Sequence, residues 1–354
     1  MKRMRAILCI LLAALMLAGC GGVEEEVCQS ERPMPAMDLT QYAVAEAAYP
    51  VLPQEPRYED YINGSGEGDW DAYFAAQETC LEELQKLGKG ERPDDGAVRR
   101  FASRTAERIF TGGENTVYSP VSLYAALGML TELTDGQTRQ QVMELLDAND
   151  GEGLRQQIRK LWMSVYQDGD AVCRLANAAF LRENADVKQT AVDTLAQWYY
   201  ASSYRLPMGT AEADEAIASW LNQQTGGLLS EAAGEIRTEP ENLLRLYNTI
   251  YYKAGWREPF ESSQTETDTF TAADGGKQQA DFLHKRDEGG YRKGEGYTAA
   301  PMALRYGQMV FVLPEEGVTP ESLLQRQGFL SELAGDYDRA ERVWSVPKFD
   351  VKST

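Results

Sequence analysis

The chain reads as an α+β protein. Apolar residues recur at helical spacing through most of the stretch from Asp69 to Tyr199, strand-like runs punctuated by Gly and Pro take over after Asn242, and no internal repeat is visible. The 354 residues, 43% apolar with six Trp, eighteen Tyr and ten Phe, can fill a sizeable core, and the length fits one large domain with an appendage. A net charge of −20 argues against nucleic acid as a partner, because phosphate binding needs clustered Lys and Arg. The acidity reads as solubility in a crowded exterior.

The first element is a leader. Lys2, Arg3 and Arg5 precede an apolar run from Ile7 to Gly19, too short to span a bilayer as a helix and suited to a signal-peptide core over residues 1–19. Its end, Leu17-Ala18-Gly19-Cys20, resembles the bacterial lipoprotein box, in which the Cys thiol takes a diacylglycerol and becomes the new N-terminus. Two or more acyl chains hold a protein stably on a membrane. The expected location is therefore the outer side of a bacterial cell membrane, with membrane lipid as a partner through Cys20. Of the remaining thiols, Cys28 and Cys80 are free to pair or not outside the cytoplasm, and Cys173 opens a strand-like run as a buried free thiol.

Residues 20–68 mix Gly, Pro, Glu and Ala and read as an acidic tether, whose coil span would be about 35 to 42 Å. The run Asn63-Gly64-Ser65-Gly66-Glu67-Gly68 within it lacks the preceding strand and following GK[ST] of a phosphate loop. Residues 69–94 form a helical extension: Trp70, Tyr73, Phe74, Leu81, Leu84 and Leu87 share a face expected to pack on the main domain, residues 95–354. There, Ala97, Phe101, Ala102, Ile109 and Phe110 mark one helix. Ser119 followed by Pro120 is an N-cap and first-turn pair for a second, carrying Leu123, Tyr124, Leu127 and Leu130. Thr138 with Gln141 suggests a capping box for a third with Val142, Leu145 and Leu146. Two more stripes run through Leu154, Ile158, Leu161, Trp162, Val165 and Tyr166, and through Val187, Ala191, Leu195, Trp198 and Tyr199.

Enzymatic chemistry finds little support. One histidine, His284, sits in a charged run and reads as a surface or strand-end residue; no GxSxG surrounds a serine, and HExxH needs two histidines. Asp147-Ala148-Asn149-Asp150-Gly151 imitates half a calcium loop with its glycine misplaced by one, so it reads as a turn. No catalytic residue, metal or cofactor is expected.

The most informative stretch is Leu243 to Phe260. Alternation puts Leu244, Leu246, Asn248, Ile250 and Tyr252 on one face, so an amide sits in an apolar row and needs partners. This stretch, with Asn115 to Leu123, Leu175 to Leu181, Ser219 to Gly227, Val310 to Gly317 and Val346 to Val351, resembles the serpin family over roughly residues 95–354. The resemblance implies a serpin fold, helices with a large mixed central sheet and smaller sheets. It implies serine or cysteine proteases as partners, and suicide inhibition in which a cleaved loop inserts as a new strand, a known example of strand addition and released strain. It also implies that Ser119, Ser122 and Asn248 form the family's shutter-like polar cluster, with Trp256 at the breach where insertion begins. In the family, the cluster's histidine, the reactive loop and the last core strands follow the position of Thr354. The chain as written is therefore expected to lack the C-terminal part of the fold and to trap no protease. The alternative is a non-inhibitory or truncated serpin-fold lipoprotein serving as a binding or structural protein.

Overall fold

The computed structural model describes residues 8–10, 37–63, 66–112, 115–272 and 274–351. Cys20, Cys28 and most of the leader lie outside them. Within them the chain runs β1 (Leu8–Ile10), β2 (Ala43–Ala45), α1 (Trp70–Lys86), α2 (Asp95–Ile109), α3 (Pro120–Leu133), α4 (Gly136–Leu145), α5 (Gly151–Val165), β3 (Gln167–Asp168) and β4 (Val172–Arg182). It continues through α6 (Gln189–Trp198), β5 (Ala201–Leu206), α7 (Ala211–Thr225), α8 (Ser230–Gly234), β6 (Leu244–Lys253), β7 (Thr265–Thr271), β8 (Lys277–Gly294), β9 (Tyr297–Ala303), β10 (Gln308–Pro314), α9 (Pro320–Leu324), α10 (Phe329–Leu333) and β11 (Asp338–Pro347).

Local chemistry sets the helix starts. The side chains of Asp69, Ser119, Asp150 and Thr210 each accept a backbone N–H from the first turn of α1, α3, α5 and α7, satisfying donors that have no partner inside the helix. The calcium-like segment is thus a connection: Asp150 caps α5, and Asp147 pairs with Arg100. For α4 the expected Thr138 box is not the start. Asp135, three residues earlier, takes that role, its carboxylate accepting the N–H of Gly136, and Thr138 lies inside the helix.

One sheet is built around β4, which pairs in parallel with β5 and antiparallel with β6, while β2 adds to the far side of β5 and β3 to β4. Strand β4 is buried on both faces, which explains its nearly unbroken apolar sequence. Cys173, Leu175 and Ala179 face a core made with α3, α5 and α6; Ala176, Ala178 and Phe180 face α7 and its Ala213, Ile217 and Trp220. The second sheet runs β1-β10-β9-β8-β11, with β7 also on β8, and packs Trp256, Met302, Phe311, Trp344 and Val346 into a core of its own. Close helix packing marks Gly128 of α3, where a Cβ would lie 2.5 Å from Ile158 Cδ1 and 3.0 Å from Tyr199 Cε1.

Three expectations change. The tether over residues 20–68 does not extend through its described part: from Met37 the chain is docked. Leu39 is buried beside α7, Met37 N–H donates to Ser219 Oγ at 2.8 Å, β2 extends the sheet, and Tyr49 stacks on Tyr200 at 5.7 Å. Composition misled because Pro, Ala and Glu also suit an edge segment that lays a few apolar side chains on a sheet. Helix α1 forms where expected, yet Trp70, Phe74 and Leu81 are more than half exposed and Cys80 is its buried residue. His284 lies in mid-strand in β8, opposite Ser345, with its ring against Phe282. Among the described residues the Cys80 and Cys173 thiols are unpaired and buried. Among the described residues, no helix is long and apolar enough to cross a membrane, and no group of three or more His, Cys, Asp or Glu could hold a metal ion.

Candidate functional site

Antiparallel pairing sets Asn248 of β6 directly opposite Asn177 of β4. Both side chains fall in apolar rows on the α3 side of the sheet: Leu175 and Ala179 flank Asn177, while Leu246 and Ile250 flank Asn248. Residues directly opposite in such a pair have Cβ atoms about 4.5 to 5.5 Å apart, within reach of one amide by another. Asn248 Nδ2 donates to Asn177 Oδ1 at 2.6 Å, and Asn177 Nδ2 donates to the backbone carbonyl of Tyr199 at 2.6 Å. Asn177 is 3% exposed, so these bonds form where water does not compete.

Tyr199 carries the chain of contacts further. It ends α6, is fully buried, and precedes Tyr200, a non-glycine residue at φ 48°. Its phenol donates to Glu132 Oε1 at 2.9 Å, and Glu132 also accepts two bonds from the Arg155 guanidinium, at 2.9 and 2.7 Å. Burial, together with the Glu132 charge, pushes the Tyr199 hydroxyl well above the ordinary phenol range, so it stays a donor. The polar path thus runs from β6 through β4 and the end of α6 to α3 and α5. One atom is left out: Asn248 Oδ1 is buried and, among the described residues, accepts no hydrogen bond.

The serines sit elsewhere in the hydrogen-bond pattern. Ser119 Oγ accepts the N–H of Ser122 at 3.2 Å as the α3 cap, and among the described residues no hydrogen bond joins either serine to Asn248, although α3 packs against β6. Ser119 thus serves the helix start as an acceptor, and the amide pair of Asn177 and Asn248 lies beneath the same helix. Trp256 lies just beyond β6, 8% exposed, bridged to Leu304 and packed near Phe260 and Phe311 in the second sheet's core. Tyr252, near the end of β6, donates to the carbonyl of Tyr306, and Tyr306 donates to the carbonyl of Ser164 at 2.5 Å. Cys173 has its thiol pushed up to about 11 by burial, which keeps it protonated and unreactive near neutral pH.

Sequence reading missed Asn177 as Asn248's partner. The signal was present, an amide at the centre of a nearly unbroken apolar run, but it needed the strand register to become a contact. Glu132, Arg155 and Tyr199 carried no such signal, since a Glu, an Arg and a Tyr on amphipathic helices look like ordinary surface and core residues.

Truncating either amide leaves buried groups unpaired, at about 1 to 3 kcal/mol each. Asn177→Ala should cost more than Asn248→Ala, because it strips partners from both Asn248 and Tyr199. Denaturant midpoints of the two single variants and the double variant should reveal a coupling of about 1 kcal/mol, and strictly additive losses would refute the contact.

Comparison with known proteins agrees with this architecture. The family model described as Serpin (serine protease inhibitor) matches residues 97–354. Serpin-Z1A of Triticum aestivum is 27% identical over 272 residues, 71% of this chain and 68% of that protein. The native-state crystal structure of Tengpin, a thermophilic serpin, shares the fold with a TM-score of 0.66 at 19% identity, covering 72% of this chain and 66% of that one. Thyroxine-binding globulin complexed with thyroxine-fluoresein gives 0.64 at 24% identity, covering 72% and 78%. The chain thus spans about two thirds of the length of Serpin-Z1A and of Tengpin. With a sheet centred on β4, a second sheet led into by Trp256, and a family match over most of its length, the chain belongs to the serpin family.

Proposed function

We propose that this chain is the scaffold of a lipid-anchored serine protease inhibitor acting outside the cytoplasm. The observation that carries the reading is β6: among the described residues it is bonded on one edge only, to β4, and its Asn248 Oδ1 is a buried acceptor without a donor. A buried acceptor left unpaired is destabilising by about 1 to 3 kcal/mol. A strand laid against β6 would complete its ladder, and a polar side chain carried beside Asn248 would give that atom a donor, so the sheet gains free energy when an extended segment enters. In suicide inhibition that gain is coupled to chemistry. The protease serine Oγ forms an ester to the loop carbonyl, the peptide C–N bond breaks, the amine leaves with a proton, and insertion separates the ester from the leaving strand before water hydrolyses it. Serine proteases, and cysteine proteases through the equivalent thioester, are the expected partners.

Anchoring rests on the sequence Leu17-Ala18-Gly19-Cys20 after the short apolar run. A second reading, a binding protein that inhibits nothing, is favoured by the likeness to thyroxine-binding globulin, which was crystallised with a thyroxine derivative on the same fold.

Two experiments test the proposal. The protein produced from its own gene, incubated with trypsin-like, chymotrypsin-like, elastase-like and subtilisin-like enzymes, should give a covalent complex with at least one that survives denaturing electrophoresis; cleavage without any complex would favour the binding reading. Replacing Cys20 by Ser should release the protein from the membrane fraction or stall its processing, and unchanged processing with retention on the membrane would sink the anchor.

A further inference from the structure

The exposed side of α1 and the segment before it form a surface that the inhibitory reading does not use. Five aromatic rings gather there. Tyr58 stacks on Trp70 with centroids 4.1 Å apart and 17° between planes, Phe74 lies along Trp70 at 5.9 Å, and Tyr73 meets both Tyr58 and Tyr61 edge-on at 5.6 Å. Core aromatics would be covered, yet Trp70 is 52% and Phe74 55% exposed. Contiguous exposed apolar surface of this kind marks an interaction site more often than chance. Beside the rings lies an open groove of about 610 Å³ lined by Tyr61, Asn63, Glu67, Asp69, Trp70 and Asp71.

Charge decides the occupant. Between Arg57 and Lys86 the sequence holds eight acidic residues and no Lys or Arg. Two of the eight are engaged within the chain: Asp69 caps α1, and Glu82 sits 4.0 Å from Lys86. Glu67 and Asp71 line the groove beside Trp70. The chain's own residues 21–36 are an unsuitable cover, since they carry Glu24, Glu25, Glu26 and Glu31 against Arg32 alone. A second copy brings a net charge of −20, and anionic lipid headgroups would meet the same repulsion. A guanidinium fits both halves of the surface, stacking its plane on an aromatic face while donating to a carboxylate.

We infer that this aromatic and acidic face is a docking site for an arginine-bearing basic segment of another protein. Arg is preferred to Lys because the planar group stacks, whereas an ammonium gains mainly its charge. The site is separate from β6, so it can hold a basic partner whether or not inhibition occurs.

The test uses fluorescein-labelled octa-arginine titrated against the purified protein by anisotropy, with octa-lysine as comparison. Octa-arginine should bind more tightly than octa-lysine. Trp70→Ala and Phe74→Ala should each weaken it by about tenfold, Asp71→Asn by about threefold, and Glu235→Gln, a distant exposed carboxylate, should have no effect. Helicity by circular dichroism checks that the variants remain folded. The inference is overturned if folded Trp70→Ala and Phe74→Ala bind as the parent does, which would leave general acidic attraction only. It is also overturned if octa-lysine binds as well, or if lipid vesicles or a neutral oligosaccharide occupy the Trp70 surface in place of the peptide.

Discussion

The hydrogen bond between the amides of Asn177 and Asn248 is the contact on which the central sheet turns. It joins β4 and β6 at mid-length, in rows that are otherwise apolar, with Asn177 buried and Asn248 half-buried with its Oδ1 shut off from water. The backbone ladder holds the two strands together along ten residue pairs, but uniform apolar rows would do little to choose one register over another. The amide pair fixes the register, because a slip of one residue would turn Asn248 to the α7 side and leave Asn177 facing hydrocarbon. It also concentrates the resistance to strand separation at one place, which suits a strand whose other edge carries no partner among the described residues.

From that point the structure spreads constraint in two directions. Through Tyr199 the amides are tied to Glu132 and Arg155, so the end of α6 and the facing helices α3 and α5 share one buried polar path. Through Tyr252 and Trp256 the far end of β6 is tied to the second sheet. On the opposite face of the sheet, α7 covers Phe180 and Tyr247, and the docked residues from Met37 onward pack beside it. Strand β6 is therefore held by its faces, by its tie to the second sheet and, among the described residues, by one neighbour laterally.

Much of this was legible in the sequence because it depends on periodicity. The helices carrying Phe101, Tyr124, Leu154 and Leu195, the run from Leu244 to Tyr252 and the Ser119–Pro120 start are patterns of spacing, and burial follows spacing. Two kinds of feature were not legible. One was pairing: Asn177 and Asn248 are 71 residues apart, and only the register brings them together. The other was competition between local options. Asp135 displaced Thr138 as a cap because its carboxylate is placed to take the first free N–H, and the segment after Met37 docked because a few apolar side chains found a sheet edge that composition could not reveal. Helix α1 failed to bury its aromatic face for the converse reason, since periodicity shows that a face exists without naming what covers it.

Amide hydrogen exchange along Leu244–Lys253 is the most direct measurement of the central idea, that β6 is locked to β4 on one side while its other edge has no partner among the described residues. In an antiparallel pair, alternate residues turn their N–H groups toward the same neighbour. Exchange should therefore alternate along β6, with the amides directed at β4 slow, most so around Asn248, and the intervening ones faster by orders of magnitude. Uniformly slow exchange along the whole strand would mean that both edges are covered in the folded protein, and would contradict it.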